Sequence, residues 1–510
     1  MATVGVCLVG VSAMAQKPAA KTKQPAPQKP VAAQKAAAQK PDPDELVAVA
    51  PTPPMGWNSW DSYGLTITEP SFRLNVVAEK NKLLPFGWNY AVIDEGWYFE
   101  NPEDRETPKI LRYAIDPHGR YVPVPARFPS SVLGGSPKPV KSPQNDTLLL
   151  TATIQNTSFA PLANWVHSQG MKFGIHIMRG IPLVSVERNL PIENSEFHAY
   201  DAANQDDSCP WDPTSFGVRN NEAGQAWYDA LIHQYADWGV DLLKVDCIAD
   251  HPYSQGEIFM IYRAIKKAGR PMVLSLSPGP TSIDHAVEMD RVANMWRASD
   301  DIWDVWFQPT AIFPQGVKNQ FVRLADWAKY AKPGHWPDAD MLPIGELRPA
   351  PGWGSSRTSH LTLEEERSQV TLWAMARSPL IMGGNLTLLD QRTLQLLTNR
   401  EVIAIDQTAL TSFEVRREKN LFGWRANMPG GKVAIAIFNG ADTPLKLDRQ
   451  LAEFVGDRGM RRWGARDVWQ NKDLGSIRRL TFTIPPHACV LLDLHRVRED
   501  GTELAPGATK

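Results

Sequence analysis

The 510 residues carry a net charge of −2, and 43% of them are hydrophobic and 22% charged, which is ordinary for a globular protein. The length suffices for two or three domains, or for one barrel with an added domain. The balanced charge argues against a nucleic-acid or anionic-membrane partner. No apolar run reaches the roughly 18 residues that a membrane span requires.

The first 46 residues predict an export signal and a tether. Residues 1–15 are small and apolar and end in Ala13-Met14-Ala15, the small-x-small pattern of a secretory signal peptide. A basic leading region is missing, which raises the question of a truncated start. Residues 16–46 are rich in Ala, Lys, Gln and Pro and predict a disordered linker. The expected location is therefore secreted or periplasmic.

Between residues 47 and 408, apolar strand patterns alternate with helical ones, which is typical of a parallel sheet. The eight predicted strands are 55–60, 90–97, 172–177, 241–246, 272–277, 294–299, 334–341 and 380–383. Amphipathic helices are predicted between most of them, for example at 222–238, 253–268, 320–330 and 363–376. Eight such units predict a (β/α)8 TIM barrel. Its longest insertions, 100–150 and 178–220, follow the second and third strands at the catalytic rim.

Residues 409–497 change to short strands separated by Gly, Pro and Asp turns, which predicts a C-terminal antiparallel β-sandwich. The predicted strands are 421–426, 432–439, 466–469, 480–484 and 488–493. Residues 498–510 are expected to form a frayed tail.

Acidic and aromatic side chains cluster where the predicted barrel strands end. Asp246 ends the fourth strand, and Lys244 leaves the same face two residues earlier, where its charge favours an ionised, nucleophilic carboxylate. Acids at helix starts are commonly N-caps, which is the alternative for Asp300, Asp301, Asp304 and Asp340 taken singly. Acids that cluster with Trp at successive strand ends instead favour glycoside hydrolysis, which uses two carboxylates.

A metal site is the competing interpretation of such an acidic cluster. No predicted strand places two histidines at ligand spacing, and the four cysteines fit neither a zinc site nor a disulfide scaffold. We therefore expect neither a metal nor another cofactor.

The strand ends resemble those of glycoside hydrolase family 27, the clan-D α-galactosidases and α-N-acetylgalactosaminidases. The matching stretches keep the family's order and are 53–60, 93–97, 238–247, 296–297 with Asp301, 336–342, 378–383 and 399–407. The resemblance implies a retaining exo-glycosidase that removes terminal α-D-galactosides from oligo- or polysaccharides by double displacement.

The resemblance also implies residue roles. Asp246 matches the nucleophile and Asp301 the acid/base, with Asp300 as the less favoured acid. The two carboxyls are expected ~5–5.5 Å apart, with a proton kept on Asp301 by burial or by the charge of Asp246. The implied sugar-binding residues are Trp60, Asp94, Glu95, His176, Lys244, Ser277, Arg297 and Asp340. A disulfide between Cys209 and Cys247 is expected, with two buried free thiols as the alternative.

Three positions depart from the galactosidase pattern. Glu95 stands in place of an Asp, His176 in place of a Tyr, and Ser277 in place of a Glu. The same mechanism on an isomalto-dextran type α-glucan, a β-L-arabinopyranoside or an α-N-acetylgalactosaminide therefore stays open. An inactive carbohydrate-binding barrel is the alternative from another class, and the presence of both carboxylates argues against it. The oligomeric state cannot be predicted from the sequence.

Overall fold

The computed structural model describes residues 43–105, 111–133, 152–153, 156–212, 214–456 and 462–498. The predicted signal peptide 1–15, most of the predicted linker 16–46 and the tail beyond 498 lie outside the described residues. The linker prediction is wrong at its end, because helix α1 occupies Pro43–Val49. Ala50 follows α1, and its carbonyl accepts hydrogen bonds from the backbone N–H of Gly334 and the indole of Trp336. These bonds fix the segment at the amino-terminal end of the barrel strands.

Eight parallel strands form the predicted barrel. They are β1 Met55–Asn58, β2 Tyr90–Ile93, β3 Lys172–Met178, β4 Leu242–Asp246, β5 Val273–Leu276, β6 Met295–Arg297, β7 Trp336–Asp338 and β8 Leu380–Met382. Their order in the sheet is β7-β6-β5-β4-β3-β2-β1-β8. Leu342 forms a parallel bridge with Met382, which brings the chain after β7 against β8 and closes the barrel.

Helices lie between most of the strands. In the described residues they are α1, α2 Trp60–Tyr63, α3 Glu69–Lys82, α4 Ala160–Ser168, α5 Leu183–Glu187, α6 Ala199–Ala202, α7 Glu222–Trp238, α8 Gln255–Ala268, α9 Ala286–Val292, α10 Gln320–Trp327, α11 Leu363–Ala376, α12 Gln391–Leu397, α13 Arg400–Thr408 and α14 Ala452–Val455. Helices α7 and α11 have the predicted bounds. Each begins at a side-chain cap, with Asn221 accepting from Gly224 N and Thr362 from Glu365 N. The predicted helix 320–330 ends earlier, since its last turn, Ala328–Tyr330, is a 3₁₀-helix.

The insertions that follow β2, β3 and β7 contain short strands of their own. A three-stranded sheet after β3 consists of Ile181–Pro182, Ala203–Ser208 and Ser215–Val218, and two further pairs join Ala114–Ile115 to Ala152–Thr153 and Glu346–Leu347 to Arg357–Thr358. They lie at the carboxyl ends of the barrel strands. The insertions therefore add side chains to the mouth that the strand pattern does not predict.

Most of the tryptophan side chains lie in the hydrophobic core. Nine indoles are less than 2% exposed, and they belong to Trp57, Trp88, Trp97, Trp227, Trp296, Trp303, Trp336, Trp373 and Trp424. Trp60 and Trp211 are partly exposed and lie at the carboxyl ends of the strands. An indole that contacts a sugar must come from this smaller, accessible group.

The C-terminal domain is antiparallel, as predicted. Its strands are β9 Thr411–Arg417, β10 Leu421–Asn427, β11 Val433–Asn439, β12 Leu445–Gln450, β13 Trp463–Asp467, β14 Lys472–Ile477, β15 Arg479–Ile484 and β16 Cys489–Arg496. One sheet has the order β9-β10-β11-β16-β13-β14, and β12 pairs with β15. The ring of Phe422 stacks on that of Phe321 in α10, with centroids 4.3 Å apart, which anchors the sandwich to the barrel.

Candidate active site

The strand register brings the predicted residues to one rim. In the β3–β4 pair, His176 lies opposite Lys244 and Met178 opposite Asp246. In the β4–β5 pair, Lys244 lies opposite Ser275, two residues before Ser277. Because parallel strands end at the same face of a barrel, these side chains converge on its mouth.

Asp246 ends β4 and holds three hydrogen bonds from neighbouring groups. Its Oδ2 lies 3.4 Å from Nε2 of His176 and accepts a hydrogen bond of 3.2 Å from Oγ of Ser277, while Oδ1 accepts from the backbone N–H of Cys247. Burial acts to raise the pKa of Asp246. The hydrogen bond and charge of His176 and the charge of Lys244 outweigh it and hold that pKa below its usual value. The carboxylate is therefore ionised at neutral pH, as a nucleophile requires.

Two departures from the galactosidase pattern thus contact the candidate nucleophile itself. His176 and Ser277 both bind Oδ2 of Asp246, whereas the sequence had indicated only that they frame the sugar. The pKa of His176 is raised, because the charge of Asp94 and the hydrogen bond to Asp246 outweigh the effect of burial. A protonated His176 is a stronger donor to that carboxylate.

The buried Asp94 forms an ion pair with the half-buried Lys244 beside this group. Nζ of Lys244 lies 2.8 Å from Oδ2 of Asp94, and the same oxygen accepts a 2.7 Å hydrogen bond from the side-chain amide of Asn58. Burial acts to raise the pKa of Asp94, but Lys244 and His176 hold it well below its ordinary value. Asn58 was missed as a site residue, although it ends β1 in the same way as the other candidates end their strands.

Glu95 follows Asp94 and is also buried. Its Oε1 lies 3.1 Å from Nη2 of Arg105, a residue of the insertion after β2. Burial raises the pKa of Glu95 to about 7, against the opposing charge of Arg105. The sequence did not indicate Arg105, because it lies in an insertion with no strand periodicity.

Arg297 connects the two remaining acids. Its Nη1 lies 3.2 Å from Oδ1 of Asp301, and its Nη2 lies 2.7 Å from Oδ2 of Asp340. Oδ2 of Asp340 also accepts a 2.7 Å hydrogen bond from the backbone N–H of Ile302. Burial raises the pKa of Asp340 to about 7. Arg297 therefore holds the segment that carries Asp301 against the end of β7.

Burial was one of the two expected reasons for a proton on Asp301, and this expectation is wrong because the side chain is not buried. Its side chain is 37% exposed, although it is paired with the buried Arg297. Asp300 is buried, and burial together with the charge of Asp301 raises its pKa to about 6. The N-cap alternative is wrong for Asp300, Asp301, Asp304 and Asp340, since no described helix begins after any of them.

Trp60 and Asp61 begin α2 at the end of β1. The backbone N–H of Trp60 donates a 2.8 Å hydrogen bond to Oδ1 of Asn58, which fixes this partly exposed indole at the mouth. Asp61 is buried, and burial followed by the charge of Asp340 raises its pKa well above the usual value. A Cβ at Gly383 would lie 1.8 Å from Oδ2 of Asp61, so the close packing of β8 against α2 requires glycine there.

Cys209 and Cys247 form the expected disulfide, with Cα atoms 6.0 Å apart. The bond joins the insertion after β3 to the residue that follows Asp246. Met178 and Trp211 pack around it. The alternative of two free thiols is therefore wrong.

Within the residues that the structure describes, no group of three or more His, Cys, Asp or Glu side chains is arranged to hold a metal ion. None of the described helices is both long enough and apolar enough to cross a membrane.

A barrel with this fold and these strand-end groups defines the chain as a carbohydrate-cleaving enzyme, and comparison with known proteins gives its family. Family models match at two places: "Alpha galactosidase A" at residues 218–408 and "Alpha galactosidase C-terminal beta sandwich domain" at residues 420–494. Alpha-galactosidase 2 of Arabidopsis thaliana is 26% identical over 88% of this chain and 90% of its own length. The human alpha-N-acetylgalactosaminidase is 25% identical over 88% of this chain and 92% of its own length.

Solved structures agree with these matches. The structure of a family 27 β-L-arabinopyranosidase from Geobacillus stearothermophilus is 37% identical, with a TM-score of 0.77 over 91% of this chain and 99% of that one. The chain belongs to glycoside hydrolase family 27. It is a retaining glycosidase of the α-galactosidase type, and its substrate is a carbohydrate.

Proposed function

We propose that the protein removes terminal β-L-arabinopyranosyl units from glycans, and α-D-galactosyl units more slowly. The two sugars have the same configuration at every ring carbon they share, and the galactoside alone carries a hydroxymethyl group at C5. One set of groups therefore binds the hydroxyls of both. Preference between them depends on the space left for that hydroxymethyl group.

Glu95 is the observation that supports the pentose. Its carboxylate reaches about 1.5 Å further from the strand than the Asp of the galactosidase pattern. The side chain is buried, and Arg105 holds its Oε1 at 3.1 Å, so it cannot swing away without losing that partner. A longer, fixed carboxylate takes up space that a hexose needs for its hydroxymethyl group and that a pentopyranose leaves open. The similarity to a β-L-arabinopyranosidase over 99% of that chain favours the same substrate.

The α-D-galactoside is the second candidate. Alpha-galactosidases of Arabidopsis thaliana and Cellvibrio japonicus are 26% and 27% identical and align over about nine-tenths of their own lengths. The Asp94–Lys244 pair and Asn58 present fixed donors and acceptors that serve either sugar.

The proposed roles follow from the contacts. Asp246 attacks the anomeric carbon and forms a glycosyl-enzyme, while Ser277, His176 and the Cys247 N–H orient its carboxylate. Asp301 donates a proton to the leaving oxygen and later takes one from water. The carboxyl separation of ~5–5.5 Å stays a prediction.

The remaining residues are proposed to bind the sugar. Asp94, Lys244 and Asn58 bind its hydroxyls, Trp60 packs on its apolar face, and Arg297 fixes Asp301 and Asp340.

We also propose that the protein works outside the cytoplasm. The Cys209–Cys247 disulfide supports this, because such bonds persist in oxidising compartments. The signal-like pattern of residues 1–15 supports it as well. Fractionation of cells that express the full chain, with and without residues 1–15, tests the location. Activity confined to the cytoplasm in both cases would contradict it.

Kinetics on four p-nitrophenyl glycosides test the substrate: the β-L-arabinopyranoside, α-D-galactoside, α-D-glucoside and α-N-acetylgalactosaminide. We expect the highest kcat/KM for the arabinopyranoside, about tenfold above that for the galactoside. One substrate group that clashes with its pocket, or leaves it unfilled, changes the free energy of transition-state binding by about 1–3 kcal/mol. A higher kcat/KM on any of the other three would overturn the preference. Proton NMR of the first product formed checks retention of the anomeric configuration.

A further inference from the structure

We infer that Trp211 and His251 form a platform for the leaving-group sugar of the substrate, at the rim between the candidate nucleophile and the candidate acid. This inference rests on the proposed function and names the part of the site that binds the sugar beyond the cleaved bond. Neither residue lies at a strand end, so the strand pattern of the sequence did not indicate them.

Trp211 is held in place from two directions. It packs against the Cys209–Cys247 disulfide and Met178, so it lies next to the residue that follows Asp246. Its carbonyl oxygen accepts a 3.1 Å hydrogen bond from Arg105, the partner of Glu95. The indole is nevertheless partly exposed. A side chain that is both fixed and accessible offers a flat apolar face at low entropic cost.

His251 lies beside this face, on the side of the acid, with its ring plane tilted by 58° to the indole. Its ring centroid lies 5.3 Å from that of Trp211, and its side chain is 38% exposed. Nδ1 lies 2.7 Å from Oδ2 of Asp250, and Nε2 lies 3.8 Å from Oδ2 of Asp300. Asp300 in turn accepts a hydrogen bond from the backbone N–H of Asp301. The pair Trp211–His251 therefore extends from the disulfide next to Asp246 to the segment that holds Asp300 and Asp301.

The position fits the leaving group rather than the sugar that Asp246 attacks. The attacked sugar lies over Asp246, Asp94 and Lys244 inside the mouth, whereas the leaving oxygen must lie within reach of Asp301. The sugar attached to that oxygen extends over the rim beside Asp300 and Asp301. There it meets an indole for its C–H face, and an imidazole and a carboxylate for its hydroxyls.

The test compares two substrates that differ only in the leaving group. One is a disaccharide in which the terminal β-L-arabinopyranosyl unit is linked to a second pyranose; the other is the glycosyl fluoride, whose leaving group is too small to touch the platform. The measured quantity is the ratio of kcat/KM for the disaccharide to kcat/KM for the fluoride. We expect this ratio to fall about tenfold in Trp211→Ala and about threefold in His251→Ala, the range for one lost aromatic contact.

Trp165→Ala is the matched control. Trp165 is also partly exposed and lies under the guanidinium of Arg73, but it belongs to α4 on the outside of the barrel. Its substitution is expected to leave the ratio at the wild-type value. If Trp211→Ala does not fold, Trp211→Leu keeps apolar bulk against the disulfide and removes the flat face, and the same fall in the ratio is expected.

Each outcome supports or overturns either the platform or the proposed function. Equal losses on both substrates in the Trp211 variants would show that the indole only packs on the disulfide, and no loss on either would show that it does not bind substrate. A wild-type protein that hydrolyses neither the arabinosyl nor the galactosyl fluoride would overturn the proposed function itself. A wild-type protein that hydrolyses the fluoride, combined with an unchanged ratio in the variants, would overturn the platform alone.

Discussion

Arg179 donates a 2.6 Å hydrogen bond from Nε to the carbonyl oxygen of Cys247, the residue after Asp246. Its side chain is 1% exposed, and its other nitrogens bind Asp207 and Glu257 at 2.7 and 2.6 Å. Cys247 has a φ of +60°, a left-handed conformation in which its N–H donates to Asp246. Arg179 thus fixes the carbonyl end of Cys247, the residue whose N–H donates to the candidate nucleophile, which makes it a positioning residue.

Replacing Arg179 by Met is therefore expected to lower kcat about 10- to 100-fold, because the Cys247 N–H loses its alignment with Asp246. KM should change less, since Arg179 does not reach the sugar. The variant also removes the cationic partner of Asp207 and Glu257, and thermal unfolding should show a fall of about 3–5 kcal/mol in the free energy of unfolding.

Arg179→Lys keeps the positive charge but lacks the forked geometry of a guanidinium. It should therefore recover part of the kcat that is lost in Arg179→Met. Arg449→Met, which removes an exposed arginine of the sandwich that pairs with Glu418, should change neither kcat nor KM. An Arg179→Met enzyme that is unstable but has wild-type kcat at low temperature would contradict the positioning role.

The assignment of the two catalytic carboxyls is tested by amide variants. Asp246→Asn should lower kcat by at least about 10⁴-fold, because an amide cannot form the glycosyl-enzyme. Asp301→Asn should lower kcat/KM on a disaccharide about 10²- to 10⁴-fold and much less on a glycosyl fluoride, which needs no proton. Steady-state kinetics on both substrates measure this.

Asp300→Asn separates the two neighbouring acids. If Asp301 is the acid, Asp300→Asn should show the smaller loss on the disaccharide and no special recovery on the fluoride. The opposite pattern would transfer the acid role to Asp300, whose pKa of about 6 also suits a proton donor.

His176→Phe should shift the acidic limb of the pH profile to higher pH. His176 helps to hold the pKa of Asp246 below its usual value, so removing it raises that pKa and the nucleophile becomes protonated at a higher pH. The dependence of kcat/KM on pH across the acidic range measures the shift. His233→Phe, which changes a histidine exposed on α7 and paired with Asp237, should leave the limb in place. A limb at the same or lower pH in His176→Phe would contradict this account of Asp246.

Glu95→Asp should move preference toward the hexose. The shorter side chain withdraws the carboxylate by about 1.5 Å and opens space for the hydroxymethyl group. We expect the ratio of kcat/KM for the α-D-galactoside to that for the β-L-arabinopyranoside to rise about tenfold. An unchanged ratio would show that Glu95 does not set the preference.

The barrel could be predicted from the sequence because its strands are short, buried and separated by amphipathic helices. Asp246 and Lys244 could be placed for the same reason, since both lie within such a strand. The prediction missed β9, β12 and β14 in the sandwich, where polar or charged residues and glycine predominate and much of each strand is exposed, so that the apolar signal of a strand is weak.

The rest of the site depends on contacts between distant segments. Arg105, Arg179 and Trp211 come from insertions or strand exits, and only the folded chain brings them to Glu95, Cys247 and the disulfide. The exposure of Asp301 likewise results from tertiary packing. No local spacing encodes these relationships.

The contacts of His176 and Ser277 with Asp246 bear on how this enzyme could acquire a new substrate. A substitution at either position changes the reactivity of the attacking group together with the shape of the pocket, so selectivity gained there would be offset by slower turnover. Glu95 has no hydrogen bond to Asp246 among those the structure shows, its ion-pair partner is Arg105, and burial and that arginine affect its pKa more than the charge of Asp246 does. Directed evolution toward another sugar should therefore accumulate productive changes at Glu95 and in the Arg105 insertion before it tolerates any at His176 or Ser277.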